Sequence, residues 1–134
     1  MALPPRNKYR TAPKADRTDP VTGKVYPSKA EMFFAQMLAR MVLNGEVRNV
    51  VEQPVVMLDC IKYVPDFLVT YKSGEVMYID VKGMRTPVFN LKLRLWKKHG
   101  PGILRLVKQS GKPQKLTGLP KFKHIGDYGP GVGK

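Results

Sequence analysis

Two β-branched and aromatic runs, parted by a tight breaker, constrain this chain more than anything else in it. The first is Tyr63-Val64-Pro65-Asp66-Phe67-Leu68-Val69-Thr70-Tyr71 and the second is Val76-Met77-Tyr78-Ile79-Asp80-Val81-Lys82-Gly83, with Lys72-Ser73-Gly74 in the gap. Residues of these types suit a pleated, half-buried surface, so the segment is expected to form a β-hairpin. A strand's period of two puts Asp80 and Lys82 on one face. If the turn has three loop residues and Gly74 is left-handed, Asp66 falls opposite Asp80. Two carboxylates and an ammonium then converge on one patch of sheet.

That grouping has the chemistry of phosphodiester hydrolysis. Carboxylates hold Mg²⁺ (or Mn²⁺), a hard ion that prefers oxygen ligands and keeps waters. Such an ion activates a water and stabilises charge growing on a phosphate, while a neighbouring lysine orients that water. The competing structural reading makes Asp66 a residue that opens its strand after Pro65, and Asp80 with Lys82 an exposed ion pair. Asp80 closes the apolar run 76–79, where a charge needs partners, and Gly83 directly after Asp80-Val81-Lys82 permits close backbone approach.

The elements around the hairpin follow from end signals. Ser28 as N-cap and Glu31 three residues later form a capping box, predicting a helix over 28–44 that stops at Gly45. Its apolar stripe is Ala35, Leu38 and Val42, flanked by Phe34 and Met41. Glu31 lies in line with that stripe, so it serves the cap, or a metal, or both. Residues 50–58 read as one strand, placed at an edge or bulged by Pro54, and Gln53 on it either bonds the edge or orients a phosphate or water. Pro87 opens a second helix over about 88–99, ended by Gly100-Pro101-Gly102. A last strand at 103–107 completes a parallel, right-handed βαβ unit. On the second helix Lys92 falls inside the apolar arc of Val88, Phe89, Leu91, Leu93, Leu95 and Trp96. It either snorkels past these neighbours or reaches an anion. Arg94, Lys97 and Lys98 form the opposite, solvated face, suited to touching a DNA backbone.

Charge narrows the class of partner. The 134 residues carry a net +14, which implies a polyanion or an anionic surface. No apolar run is long enough to span a bilayer, and the first residues lack the apolar core of a signal peptide. One cysteine, Cys60, forms no internal disulfide and fits a reducing, cytoplasmic setting. Nucleic acid is the favoured partner. Residues 1–27 hold six basic and two acidic side chains and residues 108–134 hold six and one. Both ends therefore read as basic arms around a core domain of 28–107, able to lie along phosphates or simply to solubilise.

Together the motifs resemble the PD-(D/E)xK nuclease superfamily. Pro65-Asp66 is similar to the first half of its signature, Asp80-Val81-Lys82 to the second, and Glu31 to its first-helix acid. Tyr26 through Glu31, Glu52-Gln53-Pro54, Asp80 through Gly83, and Thr86 through Leu95 also resemble small phage-encoded endonucleases similar to Holliday-junction resolvases. The resemblance covers about residues 26–107. It implies an α/β fold with a restriction-endonuclease-like αβββαβ core, a mixed sheet flanked by helices. It further implies Mg²⁺ or Mn²⁺ held by Glu31, Asp66, Asp80 and the Val81 carbonyl, with Lys82 positioning water. A homodimer cutting branched DNA in the host cytoplasm follows from the same likeness. Asp80 stands where many members have Glu. A site-specific homing endonuclease, a non-catalytic DNA-binding protein on the same fold, and a DNA-packaging accessory are the alternatives.

Overall fold

The computed structural model describes residues 12–82 and 85–132. Gly83 and the first eleven residues of the expected arm lie outside the described residues. The order is a short 3₁₀ turn at Lys14–Arg17, then α1 (Lys29–Leu43), β1 (Val47–Glu52), β2 (Val56–Leu58), β3 (Ile61–Tyr63), β4 (Phe67–Tyr71), β5 (Val76–Val81), α2 (Pro87–His99), β6 (Leu104–Ser110) and β7 (Lys121–Tyr128). The fold is mixed α/β. Its main sheet runs β1-β4-β5-β6-β7, and β2 with β3 form a separate two-stranded ribbon. Only the β5–β6 pair is parallel, as the α2 crossover requires; the other neighbours are antiparallel.

Alternation along the strands sorts the core onto two faces. Met77, Ile79 and Val81 of β5 join Phe67, Val69 and Val107 beneath Phe34 and Leu38 of α1. Leu104 and Leu106 of β6, with Tyr78, meet Phe89, Leu93 and Trp96 of α2, and the β2–β3 ribbon adds Val56, Leu58 and Tyr63. Helices therefore cover both sides of the sheet, which is what a parallel crossover demands.

The helix ends behave as their capping residues dictate. The Ser28 hydroxyl accepts from the Glu31 N–H at 3.1 Å, and the Thr86 hydroxyl accepts from the Phe89 N–H at 3.1 Å with Pro87 as the first helical residue. Gly45 follows α1 with φ of 81°. The buried face of α1 is rotated from the expected stripe: Met32, Phe34 and Leu38 are buried while Val42 is 42 % exposed. Phe34 draws the face round by packing on the rings of Phe67 and Phe122, at 5.5 and 5.0 Å. On α2 the expected arc is narrower too, since Val88 and Leu91 are exposed.

Three expectations about the strands are corrected. The single strand over 50–58 is two, because Gln53 takes a left-handed φ of 51° ahead of Pro54. Proline removes the ladder donor and the turn starts the ribbon there. The run 63–71 is likewise split at 64–66 between β3 and β4. The basic tail expected from 108 adds to the sheet: β6 continues to Ser110 and β7 pairs along its length, from Leu104↔Tyr128 to Ser110↔Lys121. The Arg105 guanidinium donates twice to the Asp127 carboxylate, at 2.9 and 3.1 Å, which ties β7 to β6. The N-terminal segment from residue 12 is docked as well, with Thr18 bridged to Val25 and Tyr26 buried.

Candidate metal centre

The β4–β5 hairpin has the expected register. Tyr71 N–H donates to Glu75 O at 2.8 Å, leaving a three-residue loop in which Gly74 has φ of 93°. The ladder reaches Phe67↔Ile79 and stops. One rung further, the two acids stand opposite each other and replace the backbone as acceptors. Asp66 N–H donates to Asp80 Oδ1, and Val81 N–H donates to Asp66 Oδ2, each at 2.8 Å. Where two strands part, backbone donors lose their partners and must find others. The carboxylates supply them, and each is locked to the other's strand.

Of the two carboxylate oxygens that remain, one is buried with no donor. Asp80 is 1 % exposed, and its Oδ2 is buried without a hydrogen-bond partner. The nearest cation is Lys82, whose Nζ lies 3.7 Å away and 4.4 Å from the centre of the Phe89 ring. A buried unpaired oxygen is costly, and a cation bound there would relieve it.

Glu31 reaches the same place from the first turn of α1. Its carboxyl lies against that of Asp66. Burial, then the charges of Asp66 and Asp80, push Glu31 up to about 8, with Lys82 opposing. Burial also raises Asp66, offset by the Val81 N–H, Lys82 and Glu31, and raises Asp80, offset by Lys82 and the Asp66 N–H. Three acids are therefore held where their charged forms are disfavoured, which is the electrostatic setting a divalent ion reverses. Among the described residues no three acid, histidine or cysteine side chains stand as a ready-made ligand set. The carboxyls face backbone donors and one another instead. The donor chemistry and the orphaned Asp80 oxygen nevertheless fit a hard cation.

A pH dependence follows. In metal-free protein folded Glu31 keeps its proton over a range in which the unfolded chain has released it. Stability from this group is complete below about pH 4.5 and is lost as pH rises through about 8. Asp66 and Asp80 act in the same direction. In chelator, thermal stability is expected to fall from pH 5 to pH 8, and Glu31→Gln to flatten that fall. Scanning fluorimetry across this interval checks it; parallel profiles for parent and variant would contradict the placement of Glu31.

The other expected residues divide. Gln53 lines a cleft of about 240 Å³ with Glu31 and Asp66, so it joins the centre. Its N–H donates to Asp66 O at 2.9 Å, which turns its left-handed backbone against the acids. Val81 enters through its N–H. Lys92 lines a second cleft, shared with Lys82. Arg94, Lys97 and Lys98 are exposed and line neither cleft, and Lys97 Nζ stands 5.2 Å from the Tyr128 ring. Reading the sequence missed the wall opposite Gln53. There Glu52 accepts from the Tyr26 hydroxyl at 2.9 Å and pairs with Lys24, and Arg17 donates to Tyr26 O at 2.7 Å. The adjacency of Glu52 to Gln53 was the one local signal; the pairing spans 26 residues. No helix among the described residues is long and apolar enough to cross a membrane.

Neither the curated proteins nor the solved structures contain a significant match to this chain. Residues 6–118, most of the sequence, match the family described as "Protein of unknown function (DUF1064)", and the chain belongs to that family.

Proposed function

We propose that this protein is a metal-dependent DNA endonuclease of the PD-(D/E)xK type, acting on branched DNA. The observation that carries the reading is the buried, unpartnered Asp80 Oδ2 beside Lys82, with Asp66 and Glu31 gathered at the same fork. The order α1, β1, β4, β5, α2, β6 within the main sheet agrees with the αβββαβ core of that superfamily. A net charge of +14 supplies the attraction to phosphates.

In this reading Glu31, Asp66 and Asp80, with the Val81 carbonyl, would hold Mg²⁺ or Mn²⁺. When bound, such an ion would lower the pKa of a water and stabilise the charge that grows on the phosphate oxygens. Lys82 orients the attacking water, and its ammonium is held in place between Asp80 and the Phe89 ring. Gln53, from its turn at the end of β1, orients a phosphate oxygen or water in the cleft it shares with Glu31. A pair of copies in the cytoplasm would bring two centres to two strands of a junction.

One observation favours a second reading. Each aspartate already satisfies a backbone donor, so the acids close the fork without any metal. A non-catalytic DNA-binding protein would keep them for that reason. Incubation with supercoiled plasmid in Mg²⁺ or Mn²⁺ separates the two. Nicking is expected from the parent and not from Lys82→Ala, while both still bind DNA. Plasmid and four-way junction both left intact in both ions establish the binding reading. Four-way junction cut faster than linear duplex of the same sequence supports branch selection, and equal rates remove it.

A further inference from the structure

A second cleft, of about 330 Å³, opens beside the acids against α2. Three lysines line it, Lys62 from β3, Lys82 after β5 and Lys92 from α2, and none of the described lining residues is acidic. Lys92 Nζ stands 5.8 Å from the centre of the Tyr63 ring. Tyr63 is 5 % exposed, its ring is wedged against Phe89 and Trp96, and its hydroxyl is buried without a hydrogen-bond partner. A buried hydroxyl without a partner is unfavourable, and two of the lysines, Lys62 and Lys92, have no carboxylate partner among the described residues, whereas Lys82 pairs with Asp80. An anion with several acceptor oxygens satisfies the hydroxyl and pairs with the two ammonium groups.

We propose that this cleft is a subsite for a DNA backbone phosphate next to the one being cut. Lys92 and Lys62 supply the charge and the Tyr63 hydroxyl supplies a neutral donor. The assignment deepens the nuclease reading and rests on it for the identity of the phosphate. Lys82 belongs to both the cleft and the acid cluster, so a phosphate seated here sets the register of the strand on the centre. Contacts of this kind position a strand without reading its bases. Lys92 is therefore a positioning residue. Its place inside the apolar arc of α2 is explained by the anion it faces.

Calorimetric titration of the full chain with thymidine 3′,5′-bisphosphate in chelator tests the subsite without any cleavage. Lys92→Ala is expected to weaken binding about tenfold, the scale of one charge-assisted contact. Tyr63→Phe keeps the ring and weakens binding by roughly threefold. Lys92→Arg restores most of the affinity, and Lys72→Ala, on the loop at the far end of the hairpin, leaves it unchanged. On duplex DNA, Lys92→Ala lowers the slope of log affinity against log salt by about one contact. Absence of binding by the parent, or equal binding by parent and Lys92→Ala, overturns the subsite whether or not the protein cuts DNA. A parent that binds the bisphosphate through Lys92 and Tyr63 yet cuts neither plasmid nor four-way junction overturns the nuclease reading and leaves the anion site standing.

Discussion

Replacing Asp80 by Asn is expected to abolish DNA cleavage while leaving fold and DNA affinity near those of the parent. The carboxylate has two jobs on two oxygens. Oδ1 accepts from the Asp66 N–H at 2.8 Å and closes the fork; Oδ2 is buried, unpartnered and faces Lys82 at 3.7 Å. Asparagine keeps the acceptor and loses the charge. The fork therefore stays closed and the metal-free variant folds, because the loss of a buried carboxyl whose ionisation burial opposes offsets the amide donor that now faces Lys82. Cleavage falls by about a thousandfold or more, the scale lost with one preorganised charge-stabilising group. Thermal shifts with and without Mg²⁺ give an independent readout: the parent gains stability from the ion and the variant does not. Cutting at the parental rate by Asp80→Asn would show that the roles assigned to these acids are wrong.

Trp96→Ala is expected to bring the largest loss of stability of any single change, about 3–5 kcal/mol. Trp96 is 0 % exposed and is the hub of the α2 face. Its ring meets Tyr78 at 5.0 Å and Tyr63 at 5.7 Å, both edge-on, and its Nε1–H donates to Gly102 O at 2.9 Å. Alanine leaves a cavity, two aromatic partners without their edge contacts, and a carbonyl in the α2–β6 connection without its donor. A domain of this size is stable by only about 5–15 kcal/mol, so the loss leaves little in reserve. Urea unfolding should show a much lower midpoint with an unchanged slope. A midpoint within error of the parent would mean that α2 is not packed on the sheet through this ring. Tyr63 rests on Trp96, so the same change loosens one wall of the lysine-lined cleft.

The hairpin and its acids were legible because everything needed to place them is local. The loop length and the left-handed Gly74 fix the register, and register alone brings Asp66 opposite Asp80. Ser28 as a cap and Pro87 as a first helical residue announced the two helices to within a residue or two, since such end signals act within one turn. Gln53 and Pro54 are adjacent, and the sequence showed an interruption there. Whether it would be a bulge or a full break depended on the ribbon of β2 and β3 having the face of α2 to pack on.

Composition misled where it stood in for pairing. The last 27 residues are basic and rich in glycine and proline, and so resemble a free arm. Yet Phe122 reaches the core under Phe34, Asp127 locks onto Arg105, and β7 completes the sheet. The vacant edge of β6 made those residues a strand. The joining of Tyr26 and Lys24 to Glu52, and of Lys62, Lys82 and Lys92 around Tyr63, likewise comes from elements far apart in the chain. The chain's order of residues, by itself, determined the hairpin, its facing acids and the ends of the helices, because short-range sterics and hydrogen bonding set them. The tertiary structure alone decided the fifth strand of the main sheet, the walls of both clefts and the burial of the Asp80 oxygen without a hydrogen bond, because each depends on which distant surfaces meet.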